Sequence, residues 1–255
     1  RGEQMNPDNA YSLVLNKGAD PKTGGVAVCG FTSTGMVGVI AASHIVNSLN
    51  IPQIGTVLNP SFPAIALVQD EVPKHPVRVY QNDELGVFVS EMQFPTDFDV
   101  QFAETVLNWF TQGDFERLII VDGVQREDVE AHERRLHAVA STVSARNRLR
   151  TEGIELITQG VVAGISGYLL SEGDRLDLDI TALLPECNPM FPDARAAALA
   201  VEAISELTQI EVPLSSLIED ARRVEESVQG IFEQSKNILP APGEYKIPKD
   251  DSMFG

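Results

Sequence analysis

The side chains that could do chemistry fall in three places. The stretch Gly30-Phe31-Thr32-Ser33-Thr34-Gly35-Met36-Val37-Gly38 stands where an apolar strand hands over to a helix. Helix N-termini favour anions, so Gly30, Thr34, Gly35 and Gly38 are candidates for a phosphate-holding turn. Their spacing is neither the dinucleotide fingerprint nor a P-loop, since no Lys-Ser/Thr pair follows. The competing explanation is mechanical and is preferred: glycines permit a tight turn and close helix–sheet packing. Second, Ile119-Ile120-Val121-Asp122-Gly123 closes an apolar run with an acid. Ligands in open α/β sheets bind outside such carboxyl ends, so Asp122 could orient a sugar hydroxyl or a metal, or simply cap the turn. Third, Glu186 stands beside Cys187 and Asn188.

A catalytic constellation does not assemble from these. Glu91 and Glu186 could form an acid–base pair, but nothing in the sequence brings them together. Cys187 as a nucleophile would need a positioned histidine, and His44, His75, His132 and His137 stand in no telling context. No H-x-x-x-H, H-E-x-x-H or carboxylate cluster suggests a metal site. No catalytic residue, metal or cofactor is therefore expected. The strongest motif is Met253-Phe254-Gly255. A carboxylate preceded by an aromatic suits capture in a cleft, where the ring fills an apolar slot and the carboxylate meets a cation.

The elements that must position these groups alternate in type. Strands are expected at residues 11–16, 26–31, 53–58, 64–69, 117–121, 154–162 and 176–184; residues 135–142 fit helix or strand, and the alternation favours strand. A hairpin is expected from 77–81 and 86–91 around Asn82-Asp83. Helices are expected at 35–49, 96–112, 144–152 and 193–208, with a short one opening near Gly164. Alternation with long apolar strands predicts a mostly parallel sheet covered on both faces. Residues 1–212 form the α/β core on this reading, 213–236 a separate amphipathic segment, and 237–255 a flexible tail. In 213–236 the apolar residues Leu214, Leu217, Ala221, Val224, Val228 and Ile231 step by three and four, a heptad seam. That seam either packs on its own domain or contacts another subunit. The tail, with Pro240, Pro242, Gly243 and Pro248, cannot build a core, and as a flexible chain it spans roughly 25 Å.

Composition narrows the function classes. The chain has 255 residues, 43% of them hydrophobic, enough for a sizeable core. With 19 Lys and Arg against 37 Asp and Glu, the formal net charge is -18. Such a charge argues against nucleic acid as a partner and against anionic membrane surfaces. Two cysteines without C-x-x-C spacing fit a reducing compartment. No apolar run approaches membrane-spanning length and the first residues lack a signal-peptide core, so a cytoplasmic protein is expected.

Several of these stretches together resemble the proteasome-assembly-chaperone family in its archaeal-type single-domain form. They are Gly30-Phe31 with Gly35, Val37 and Gly38; Pro76 to Tyr80 with Ser90 to Pro95; Gly164-Ile165-Ser166-Gly167; and Pro192-Asp193 before an alanine-rich helix. The resemblance runs from about Val26 to Ser227. It implies a three-layer α/β/α fold similar to nucleoside phosphorylases, homo-oligomers, and a scaffold rather than an enzyme. It also implies that the C-terminus docks between α-subunits of the proteasome core. In that motif Met253 matches the hydrophobic position, while Phe254 replaces tyrosine and loses the hydroxyl. The alternative is a nucleotide- or nucleoside-binding enzyme that uses the Gly30–Gly38 turn as its phosphate site, with Asp122 and Glu186 orienting the substrate.

Overall fold

The computed structural model describes residues 11–60, 62–93, 96–126, 128 and 133–238. The sheet is built around four parallel strands in the order β7 (Leu85–Ser90), β2 (Val26–Phe31), β8 (Arg117–Val121) and β12 (Ile180–Cys187). Their sequences are continuous apolar runs because both faces are covered. Beyond β7 the sheet continues antiparallel through β6 (Val77–Gln81), β3 (Gln53–Leu58) and β1 (Ser12–Leu15). Beyond β12 lie antiparallel β10 (Leu136–Ala140) and a two-residue edge, β11 (Glu155–Leu156). A short β9 (Val124–Gln125) pairs with the end of β12.

Side chains alternate across this sheet, as the pleat requires. Val26, Val28, Ile119, Val121 and Leu183 point into one apolar layer, formed with α1 (Val37–Ser48), α3 (Val143–Thr151), α5 (Ala194–Thr208) and α6 (Leu217–Ile238). Ala27, Cys29, Leu118, Ile120 and Ala182 point into the other, formed with α2 (Asp99–Gln112) and α4 (Gly164–Leu176). The architecture is thus the expected three-layer α/β/α. Local chemistry sets several boundaries. Asn82 Oδ1 accepts from the amides of Glu84 and Leu85, closing the β6–β7 hairpin. Thr142 and Asp193 cap α3 and α5 through the amides of Ala145 and Ala196.

Three expectations need correction. The strand expected over 154–162 is only β11, at the sheet edge. Ile157 and Val162 pack against the core from a loop rather than a strand, and Val161 between them is 94% exposed. The segment from 176 begins as helix: α4 runs thirteen residues to Leu176, and the strand starts at Ile180. The strand expected over 64–69 shrinks to β4 (Leu67–Gln69), which leaves the main sheet to pair with β5 (Val72–Lys74).

Candidate functional site

The glycine turn is filled by the protein itself. Gly35 adopts φ 63°, and a Cβ there would lie 2.9 Å from the Asn188 carbonyl oxygen and 3.0 Å from Cys187 Sγ. A Cβ on Gly123 would meet Cys187 Sγ and the Thr34 carbonyl oxygen, each at 2.6 Å. Gly30 and Gly38 serve the contact of α1 with β2 and β8: a Cβ on Gly30 would fall 2.0 Å from the Gly38 carbonyl oxygen, and one on Gly38 would fall 2.3 Å from that of Val121. Backbone approach this close admits only glycine. Gly35 also accepts a hydrogen bond at its carbonyl from the amide of Asp193. The mechanical explanation of this motif is the one the geometry supports.

The acids proposed beside the turn hold the fold together. Asp122 Oδ1 accepts from the Gly123 amide at 2.8 Å, and its Oδ2 accepts from Ser166 Oγ at 2.8 Å, tying the end of β8 to α4. This gives the Gly164–Gly167 motif part of its meaning, and a Cβ on Gly167 would sit 2.1 Å from the Val162 carbonyl oxygen. Glu186 takes both its oxygens to Arg126 Nη1, at 2.7 and 2.8 Å, and accepts from the Arg135 amide at 3.1 Å. Burial pushes the Glu186 carboxyl up, but Arg126, the Arg135 amide and His137 outweigh it and hold the carboxyl below the usual range. Glu91 and Glu186 do not meet: three strand steps separate their strands, about 14 Å across the sheet.

Burial, with Asp193 and Asp122 nearby, pushes the Cys187 thiol up to about 12. A thiol held protonated is a poor nucleophile. Among the described residues, no group of three or more His, Cys, Asp and Glu side chains could hold a metal ion. No helix of the described residues is long and apolar enough to cross a membrane.

The heptad seam is covered within the chain. Leu217, Ala221, Val224, Val228 and Ile231 are buried, most of them in the layer shared with α1 and α5, and Leu214 packs at its edge. The expected subunit contact through these side chains therefore gives way to the intramolecular alternative, since α1 occupies the surface a partner would need. Outward-facing apolar residues of α6 are Ile218, 79% exposed, and Phe232. Ile218 borders a groove of about 580 Å³ together with Phe191, Pro192, Ala194, Ala198 and Leu214. Met190 and Phe191 stand exposed in the loop beside it.

One site escaped the sequence. Under α6, between α1, the β4–β5 hairpin and the ends of β6 and β7, lies a cavity of about 580 Å³. Its lining includes a buried ion pair, with Arg78 Nη1 3.0 Å from Glu91 Oε2. Arg78 Nε donates to Tyr80 Oη at 2.7 Å and Nη1 to the His75 carbonyl at 2.8 Å. The alternation of β6, which puts residues 78 and 80 on one face, was the only available signal. The expected partner-docking motif, Met253, Phe254 and Gly255, lies outside the described residues.

Comparison with known proteins places this geometry. The family model described as PAC2 family matches residues 27–231. An uncharacterized protein of Methanocaldococcus jannaschii is 24% identical over 215 residues, 84% of this chain and 88% of that one. Among solved structures, PbaA of Pyrococcus furiosus, an archaeal homolog of proteasome-assembly chaperone, superposes with a TM-score of 0.77. It is 24% identical, over 90% of this chain and 99% of its own. PbaB of the same organism, an archaeal proteasome activator, gives a TM-score of 0.69 at 20% identity, over 88% and 99%.

Proposed function

The chain belongs to the PAC2 family, and from that membership we propose that it is a scaffold that binds the core of the proteasome rather than an enzyme. The observation that carries this reading is the state of the glycine turn. At the point of the sheet where an α/β enzyme keeps its ligand crevice, Cys187, Asn188 and Thr34 occupy the space. Asp122 and Glu186, which an enzyme would direct at a substrate, are taken up by Ser166, the Gly123 amide, Arg126 and Arg135. The alternative of a nucleotide- or nucleoside-binding enzyme loses its phosphate site to the same contacts. The likeness to PbaA and PbaB favours the proteasome as partner.

On this proposal the scaffold is a homo-oligomer in the cytoplasm. Met190, Phe191 and Ile218 around the groove supply the apolar core of a subunit contact, because exposed apolar surface beside a concave face is what oligomer interfaces bury. The α-subunits of the proteasome core are met by Met253, Phe254 and Gly255. Native mass spectrometry with proteasome α-rings tests both parts, using the full chain, a chain ending at Ser252 and Ile218→Asp. Loss of the ring complex on truncation, with the self-assembly intact, supports the tail as the docking segment. Ring binding that survives truncation overturns it. Self-assembly unchanged by Ile218→Asp overturns the subunit contact.

A further inference from the structure

The cavity under α6 is built in a way that stability alone does not explain. Its floor holds Arg78 at 2% and Glu91 at 1% exposure. Buried ion pairs are often no better for stability than well-packed apolar residues, so one that lines an open cavity needs another reason. The polar groups around it are also incompletely used. Glu91 Oε2 meets Arg78 Nη1 at 3.0 Å as an ion pair, and its Oε1 accepts from Gln69 Nε2 at 3.2 Å. Ser43 Oγ, which lines the same cavity from α1, is buried without a partner. Arg78 is held by Glu91, by the Tyr80 hydroxyl and by the His75 carbonyl, which fixes its guanidinium at the cavity wall. Burial raises the Tyr80 phenol, which keeps its proton available to donate. Ser43 Oγ is thus left over beside a buried charged pair, and leaving such a group unmet in a protein interior is costly.

We propose that this cavity binds a small zwitterion of the amino-acid class, with its carboxylate on Arg78, Tyr80 and Ser43 and its ammonium on Glu91. A ligand of one sign fits less well. A dianion would bring its charge against Glu91 and the buried Asp220, which also lines the cavity. A diamine would bring its charge against Arg78. A zwitterion matches both halves of the ion pair and adds no net charge to a low-dielectric site. The volume suits a small molecule.

The roof supports the same conclusion. Gly230 lies inside α6 and lines the cavity, and a Cβ added there would meet nothing within 4 Å. Glycine in a helix interior is unfavourable relative to alanine. Here no turn and no close backbone approach requires it; Gly230 is exposed at the rim of the cavity, where a large side chain would narrow the opening. This inference stands apart from the scaffold reading, because it concerns a different surface and predicts a soluble ligand.

The test is calorimetric titration of the full chain with the standard L-amino acids at millimolar concentration, with succinate and putrescine as single-sign probes. At least one amino acid binds, and both single-sign probes bind at least tenfold more weakly. Tyr80→Phe weakens the amino acid roughly five- to tenfold. Gly230→Leu, which fills open space and leaves the ion pair in place, abolishes binding while the melting transition persists. Absence of binding by every amino acid, succinate binding as tight as the amino acids, or binding unaffected by Gly230→Leu each overturns the proposal.

Discussion

His44 Nδ1 and Asp220 Oδ2 meet at 2.6 Å, although 176 positions separate them in the chain. The other ring nitrogen of His44 donates to the Pro213 carbonyl at 2.9 Å, and Asp220 also accepts from Asn47 and Ser216. The pair is buried and joins α1 to α6, so a polar clamp holds the terminal helix that the apolar seam has already positioned.

Removing one half of this clamp leaves the other buried and unmatched. Asp220→Ala is expected to cost about 3 kcal/mol, the lower part of the range for breaking a buried pair. For a chain of this size that lowers the melting temperature by roughly 6–12 °C. Differential scanning calorimetry reads it directly, and a change below 2 °C, roughly half a kcal/mol, would show that α6 is held by the seam alone.

The same pair makes stability depend on pH in a defined direction. Burial raises the Asp220 carboxyl, but hydrogen bonds from His44, Asn47 and Ser216 outweigh burial and hold it below the usual aspartate range. A depressed carboxylate adds stability above its unfolded pKa, about 4, and that stability is lost as pH falls through the folded value. Urea midpoints of the natural chain and of Asp220→Asn should therefore differ at pH 6 and converge in acid below about pH 4. A gap that stays constant down to pH 2 would remove Asp220 from the linkage.

Glycines in two places should respond in opposite ways to alanine. Gly35→Ala puts a methyl against Asn188 and Cys187 at a positive φ, and is expected to destabilise by about 1–3 kcal/mol. Gly230→Ala meets no atom and removes a helix-interior glycine, and is expected to stabilise by up to about 1 kcal/mol. Paired chemical denaturation curves decide this. A stabilised Gly35→Ala would mean that the turn is open rather than filled.

Both thiols should be silent in the native protein. Cys29 and Cys187 are buried, and desolvation pushes each thiol up, Cys29 well above the ordinary range. Titration with a thiol reagent at pH 8 is expected to label neither until urea is added, when both react. Rapid native labelling of Cys187 would reveal access to the glycine turn and revive the enzyme alternative.

Much of the architecture was legible because its signals are local. The runs Val26–Phe31 and Arg117–Val121 are apolar on both faces, which only a covered central strand requires. Asn82 announces its turn, and Asp193 its helix. The steps of three and four from Leu217 to Ile231 identified an apolar face, but such a pattern does not say whose surface covers it, and here α1 of the same chain does. The apolar residues near Val161 misled in turn: they have strand composition, yet Ile157 and Val162 pack against the core from a loop. The cavity was the least legible feature. Arg78 and Glu91 face one another only because β6 and β7 pair with Val77 opposite Ser90, a register that becomes visible with the fold.

The late arrival of α6 has a consequence for synthesis. Nearly every residue of α1 is buried, and part of its cover is supplied by α6, whose Asp220 follows His44 by 176 residues. At the usual pace of a ribosome, that interval lasts on the order of ten to thirty seconds. Throughout it the nascent chain carries an apolar helix with one side bare, along with a central sheet that cannot close before β12 emerges. Premature termination between residues 208 and 217 would release a product that has most of the domain and lacks the helix that seals it, so such fragments are expected to aggregate rather than fold.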